Sequence, residues 1–86
     1  MKTNGNKQEK LLALEQAVNK IAENFLPSNK EDATFFWTTL KFSEAIEQIC
    51  GTSYKDSEII KQLENKGYQN SYMENIGLVW WVKVNE

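Results

Sequence analysis

The side chains here that could do covalent or proton-transfer chemistry are carboxylates, lysines, tyrosines and one thiol, Cys50. Histidine is absent. That removes the usual general base near neutral pH and the commonest metal ligand. Glu44 with Glu47, and Glu58 with Glu64, lie on helix faces that read as solvated, and no carboxylate pair is placed to line a cleft. Cys50 falls on the inner face of a helix and reads as a structural thiol rather than a nucleophile. A single cysteine forms no internal disulfide, and no residues have metal-ligand spacing. Gly5, Gly51, Gly67 and Gly77 stand alone, so no glycine-rich loop can cradle a phosphate. The expectation is a protein that is not an enzyme, with no catalytic residues, no metal and no cofactor.

The totals fit one small domain. The chain has 86 residues, 41% of them hydrophobic and 26% charged. A chain of this size buries roughly 60–65% of its unfolded surface, which makes a modest core. No apolar run approaches the roughly 20 residues of a membrane helix, and the polar N-terminus has no secretory core. A cytoplasmic protein with no membrane partner is expected. Net charge is −2 and every basic residue is lysine. The isoelectric point is about 5.2. A dedicated nucleic-acid binder usually carries a basic balance, and arginine supplies the planar fork that grips guanine and phosphate.

The elements that would position these residues follow from periodicity. Residues 1–7 are polar and expected to be disordered; residues 8–86 form the domain. Asn6 with Glu9 has capping-box spacing. Leu11, Leu14, Val18, Ile21 and Phe25 then recur at helical steps, with Leu12, Ala22 and Leu26 widening the stripe. This predicts an amphipathic helix over 8–26, ended by Pro27. The stripe is wide enough to pack on the domain's own core, and its heptad spacing also suits a homodimer seam. Ser28 with Glu31 suggests a helical turn.

Residues 34–42 read as either strand or helix, because Phe35, Phe36 and Trp37 have no clean period; a short strand is expected near 38–40. Ser43 to Cys50 reads as a helix, with Phe42, Ile46, Ile49 and Cys50 inward and Gly51 as its stop. Ser53 with Asp56 has cap spacing for the next helix. That helix carries Ile59, Ile60 and Leu63 inward, with Tyr68 extending the apolar face beyond it, and ends at Lys66-Gly67. Tyr68 to Met73 reads as a strand. Glu74 to Gly77 reads as a turn in which Asn75 and Gly77 can take positive φ. Leu78 to Val84 is the clearest strand. Leu78, Trp80, Val82 and Val84 should face the core, with Val79, Trp81 and Lys83 opposite.

The order over residues 38–84, with Ile60, Leu63, Glu64, Gly67 and Tyr68 closing a helix before a two-stranded hairpin, resembles a winged helix-turn-helix domain. The resemblance implies an α+β fold of three helices and a C-terminal wing. It also implies a small DNA-binding protein acting as a transcriptional regulator, with double-stranded DNA as partner, and the heptad spacing of the N-terminal helix adds the expectation of a dimer. In that family the third helix enters the major groove and the wing touches the backbone or minor groove. Carried onto this chain, the DNA-contact candidates are Lys55, Ser57, Lys61, Gln62, Asn65 and Lys66 of the helix, with Asn70, Tyr72 and Lys83 of the wing. Gln62 and Asn65 have the side-chain type that reads adenine, and the lysines suit phosphates. A solvated helix face is the plain alternative.

From Gly51 onward four lysines (55, 61, 66, 83) face five acids (56, 58, 64, 74, 86). DNA binding by one copy should therefore be weak and salt-sensitive. The acidic balance and the aromatic surplus also support a protein-interaction module on the same fold. Trp81, with Trp37 or Tyr72, would then be an exposed aromatic anchor.

Overall fold

The computed structural model describes residues 2–85, with side chains described from residue 9. It is an α+β fold of three helices on one face of a small antiparallel sheet. Helix α1 (Lys2–Asn24) leads directly into strand β1 (Phe25–Pro27). Strand β2 (Phe35–Thr38), helix α2 (Thr39–Cys50), helix α3 (Asp56–Lys66), strand β3 (Asn70–Met73) and strand β4 (Gly77–Val84) follow.

Strand β4 is the centre of the sheet. It pairs antiparallel with β2 on one side, from Phe35 opposite Val82 to Thr38 opposite Val79. On its other side β3 occupies one end, with Asn70 opposite Trp80 and Met73 opposite Gly77. β1 occupies the other end, with Phe25 opposite Val84 and Pro27 opposite Val82. Directly paired residues share a face. Phe25, Phe35, Trp37, Leu78, Trp80, Val82 and Val84 therefore face the helices. Leu26, Phe36, Ser71, Val79, Trp81 and Lys83 face away.

Trp80 and Val82 are fully buried, as their inward positions require. The Trp80 indole donates to Thr39 Oγ1 at 2.9 Å, which satisfies its polar edge. Val79 is also fully buried although it points outward, because neighbouring strands flank it on both sides. Leu14, Ala17, Val18, Ile21 and Ala22 of α1 close the core with Phe42 and Ile46 of α2, Ile59 and Leu63 of α3, and Tyr54 and Tyr68. Leu14, Val18, Ile21 and Phe25 of the heptad stripe are thus taken up by the domain's own core. A second copy would have to meet another face of α1, where Leu12 is 52% exposed.

Several expected boundaries are corrected. Helical backbone begins at Lys2, so Asn6 lies inside α1 rather than capping it. The helix ends at Asn24 instead of residue 26, because Phe25, Leu26 and Pro27 pair with β4. The turn after β1 is closed by Asn29, not Ser28: Asn29 Oδ1 accepts from the Asp32 amide at 2.8 Å, and the Ala33 amide donates to Asn29 O at 3.0 Å. The strand expected near 38–40 lies at Phe35–Thr38. Thr38 is instead the N-cap of α2, its Oγ1 accepting from the Lys41 amide at 3.1 Å, so the helix starts at Thr39 rather than Ser43. Ile49, expected inward, is 43% exposed. The strand after α3 begins at Asn70, because Tyr68 is drawn into the core.

Candidate functional site

Helix α3 and the hairpin hold most of the candidate residues. The expected Ser53–Asp56 cap gives way to a later one. Lys55 is the N-cap residue, in extended conformation, and its backbone amide donates to Glu58 Oε1 at 3.1 Å. Asp56 and Glu58 occupy the first turn and Lys66 the last, which suits the helix dipole at both ends. Gly67 closes the helix at φ 107, its amide donating to Glu64 O and Leu63 O. At this φ a residue with a Cβ is strained.

Ile59 and Leu63 anchor α3 inward. At helical spacing, the row opposite them is Ser57, Lys61, Glu64 and Asn65, and all four are exposed. Lys55 stands exposed at the N-terminal end of that row. Gln62 turns aside. It is half-buried and, with Asn65 and Lys66, lines a small crevice of about 70 Å³ against Glu15, Val18 and Asn19 of α1. The outward row thus has one lysine and one glutamate, with Lys55 adding a second cation at its end. Glu64, expected on a solvated helix face, is exposed and belongs to this row.

The hairpin divides its candidates between two faces. Asn70 and Tyr72 lie on the helix-bearing face, opposite Trp80 and Leu78. Tyr72 is 79% exposed. Lys83 lies on the other face and at the other end of β4, opposite Leu26 of β1. It is therefore not brought together with the α3 row. The turn has Asn75 at φ 73 and Gly77 at φ 104, the two positions expected to take positive φ. Ile76 is exposed between them.

Among the described residues no helix packs on the outer sheet face. Trp81 lies there half-buried, its indole N–H donating to Ser71 Oγ at 2.9 Å. Phe36 meets it edge-on, with ring centroids 5.9 Å apart. Trp81 is thus separated by the sheet from both Trp37 and Tyr72, its expected companions. Phe36 was hidden in the sequence because the run Phe35, Phe36, Trp37 places large aromatics on alternate faces.

The titratable interior groups are structural locks. The Tyr68 hydroxyl donates to Phe25 O, tying the end of α3 to β1. Burial holds its pKa well above the ordinary 10.0. The Tyr54 hydroxyl donates to Lys10 O at 2.8 Å. Its pKa is raised too, first by burial and then by Cys50 and Glu58. Cys50 is half-buried, and its Sγ lies 3.5 Å from Ala13 O as a weak donor. Among the described residues no group of three or more His, Cys, Asp or Glu could hold a metal ion. No helix of the described residues is long and apolar enough to cross a membrane. No family model, curated protein or solved structure matches this chain.

Proposed function

We propose that this chain is a small winged helix-turn-helix DNA-binding protein, with α3 presented to the major groove and the β3–β4 hairpin as its wing. The observation that carries this reading is the path of the chain. β2 leads into α2 and α3, and a hairpin follows whose second strand returns between β3 and β2. That order leaves α3 with a polar outward row beside a hairpin that carries an exposed tyrosine. Lys55, Lys61 and Lys66 would meet phosphates, Ser57 and Asn65 base edges or sugar, and Tyr72 the backbone beside the wing. Glu64 opposes phosphate on the same row. Binding by one copy is therefore weak and lost quickly as salt rises. Fluorescence anisotropy with a labelled duplex at about 50 mM salt tests the proposal. Lys55→Ala with Lys61→Ala should reduce affinity about tenfold or more, at about 1 kcal/mol per charge-assisted contact. An unchanged affinity would remove α3 from the interface.

A second reading is carried by a different observation, the uncovered outer sheet face with Phe36 and Trp81 in contact. Aromatic residues of this kind anchor protein interfaces. On this reading the chain is a protein-interaction module. Trp81→Ser would abolish partner capture while leaving DNA anisotropy unchanged.

A further inference from the structure

A second concave surface lies apart from α3. It is a groove of about 360 Å³ between α1 and α2, floored by Phe25 and Trp37 and walled by Lys20 on one side and Ala45, Gln48 and Ile49 on the other. The Phe25 and Trp37 rings lie 4.8 Å apart at a tilt of 40°, forming a continuous aromatic floor. Ile49, part of its wall, is an exposed large apolar residue that the core leaves free. A volume near the lower end of the usual 300–1,000 Å³ range, with apolar walls and few polar groups, has the character of a small-ligand site.

The charged groups at its lining and its aromatic floor are lysines. Lys20 is the charged side chain of the lining. Lys41 places its ammonium 5.5 Å from the Trp37 ring centroid, at the end of the same aromatic floor. Asn24 and Gln48 add neutral polar groups to the rim. Glu44 and Glu47 line an adjoining surface of α2 that shares Gln48 with the groove, on the side away from Lys20 and α1. An apolar body with a negative head therefore matches the lysine end of the groove better than a positive head does.

We propose that this groove binds a small amphipathic anion, an alkyl or aryl carboxylate. Its apolar body lies on Phe25 and Trp37, and its carboxylate meets the ammonium of Lys20 or Lys41. No residue of α3 lines the groove, so this site stands independently of the DNA-binding reading.

The test is a two-dimensional amide and indole NMR titration of the whole chain with decanoate, and separately with decyltrimethylammonium. Decanoate should give saturable shifts at Ala45, Ile49 and the Trp37 indole, with a Kd on the order of 1 mM for a ligand of this size. The cationic analogue should give markedly weaker shifts at the same residues. Lys20→Glu with Lys41→Glu, both surface changes, should weaken decanoate about tenfold or more, with the dispersion of the spectrum showing that the fold persists. Three results would overturn the proposal: no saturation by about 10 mM decanoate, equal binding of the cationic analogue, or concentration-dependent shifts of the groove residues in the ligand-free protein. The last would mean that a second copy fills the groove.

Discussion

Tyr68 has an apolar and a polar requirement that pull against each other. Its ring is buried against Phe42, with centroids 5.1 Å apart, while its hydroxyl must find a partner and finds Phe25 O. Tyr68→Phe should cost about 1–3 kcal/mol in urea unfolding, since the Phe25 carbonyl loses its buried donor. The pH dependence follows from the raised pKa. Below pH 10 the phenol is protonated in both folded and unfolded chains, and its contribution is fully present. Above the unfolded value of 10.0 the unfolded chain releases the proton first, so stability falls as pH rises toward the higher folded value. The wild-type protein should lose stability steeply above pH 10. Tyr68→Phe should flatten that limb, leaving the smaller part owed to Tyr54. An alkaline limb that the substitution does not change would place the titrating group elsewhere.

Residues like these are only partly legible in sequence. The apolar step to Tyr68 after Leu63 marked it as part of the core. Its hydroxyl partner, 43 residues away in the chain, did not show. Gln62 had the right side chain for base reading and an outward expectation, yet its packing neighbour is α1. Only the placement of α1 over α3 reveals that.

At the scale of elements, the legible features are those set by local chemistry. Gly51 and Gly67 end their helices in the left-handed region, and Asn75 with Gly77 turns the hairpin. Alternation identified β4 and its inward Trp80 and Val82. The illegible features are those set by pairing. β1 is three residues long and looks like the last turn of α1, because Phe25 falls on the helical stripe. It becomes a strand only because the C-terminal strand runs beside it, with Val84 opposite Phe25. β2 has aromatics on both faces, since Phe35 and Trp37 pack under the helices and Phe36 on Trp81. No period survives that arrangement.

The start of α2 gives an element-scale prediction. Thr38→Ala removes the acceptor for the Lys41 amide and should cost about 0.5–2 kcal/mol. Thr38→Ser should restore most of it. Thermal unfolding of both variants checks the difference. Equal losses would mean that pairing with Val79 matters more than the cap.

At the scale of the whole molecule, charge decides more than shape. The net charge of −2 gives no long-range attraction for a polyanion, so any DNA affinity must come from local lysines. With Lys55, Lys61 and Lys66 as the phosphate contacts, log affinity against log salt should fall with a slope of about −3 for one copy. A slope near zero would point to contacts other than phosphate. The fold itself arranges three separate surfaces: the α3 row with Tyr72, the Phe36–Trp81 face behind the sheet, and the groove between α1 and α2. These are far enough apart in the topology for one experiment to tell them apart.

That experiment is an amide NMR titration of the whole chain with a short duplex DNA at about 50 mM salt, where phosphate contacts are strongest. The account predicts graded shifts confined to Lys55, Ser57, Lys61, Asn65, Lys66 and Tyr72, reversed by adding salt. Shifts that fall instead on Phe36 and Trp81, or no shifts at any residue of α3, would contradict it.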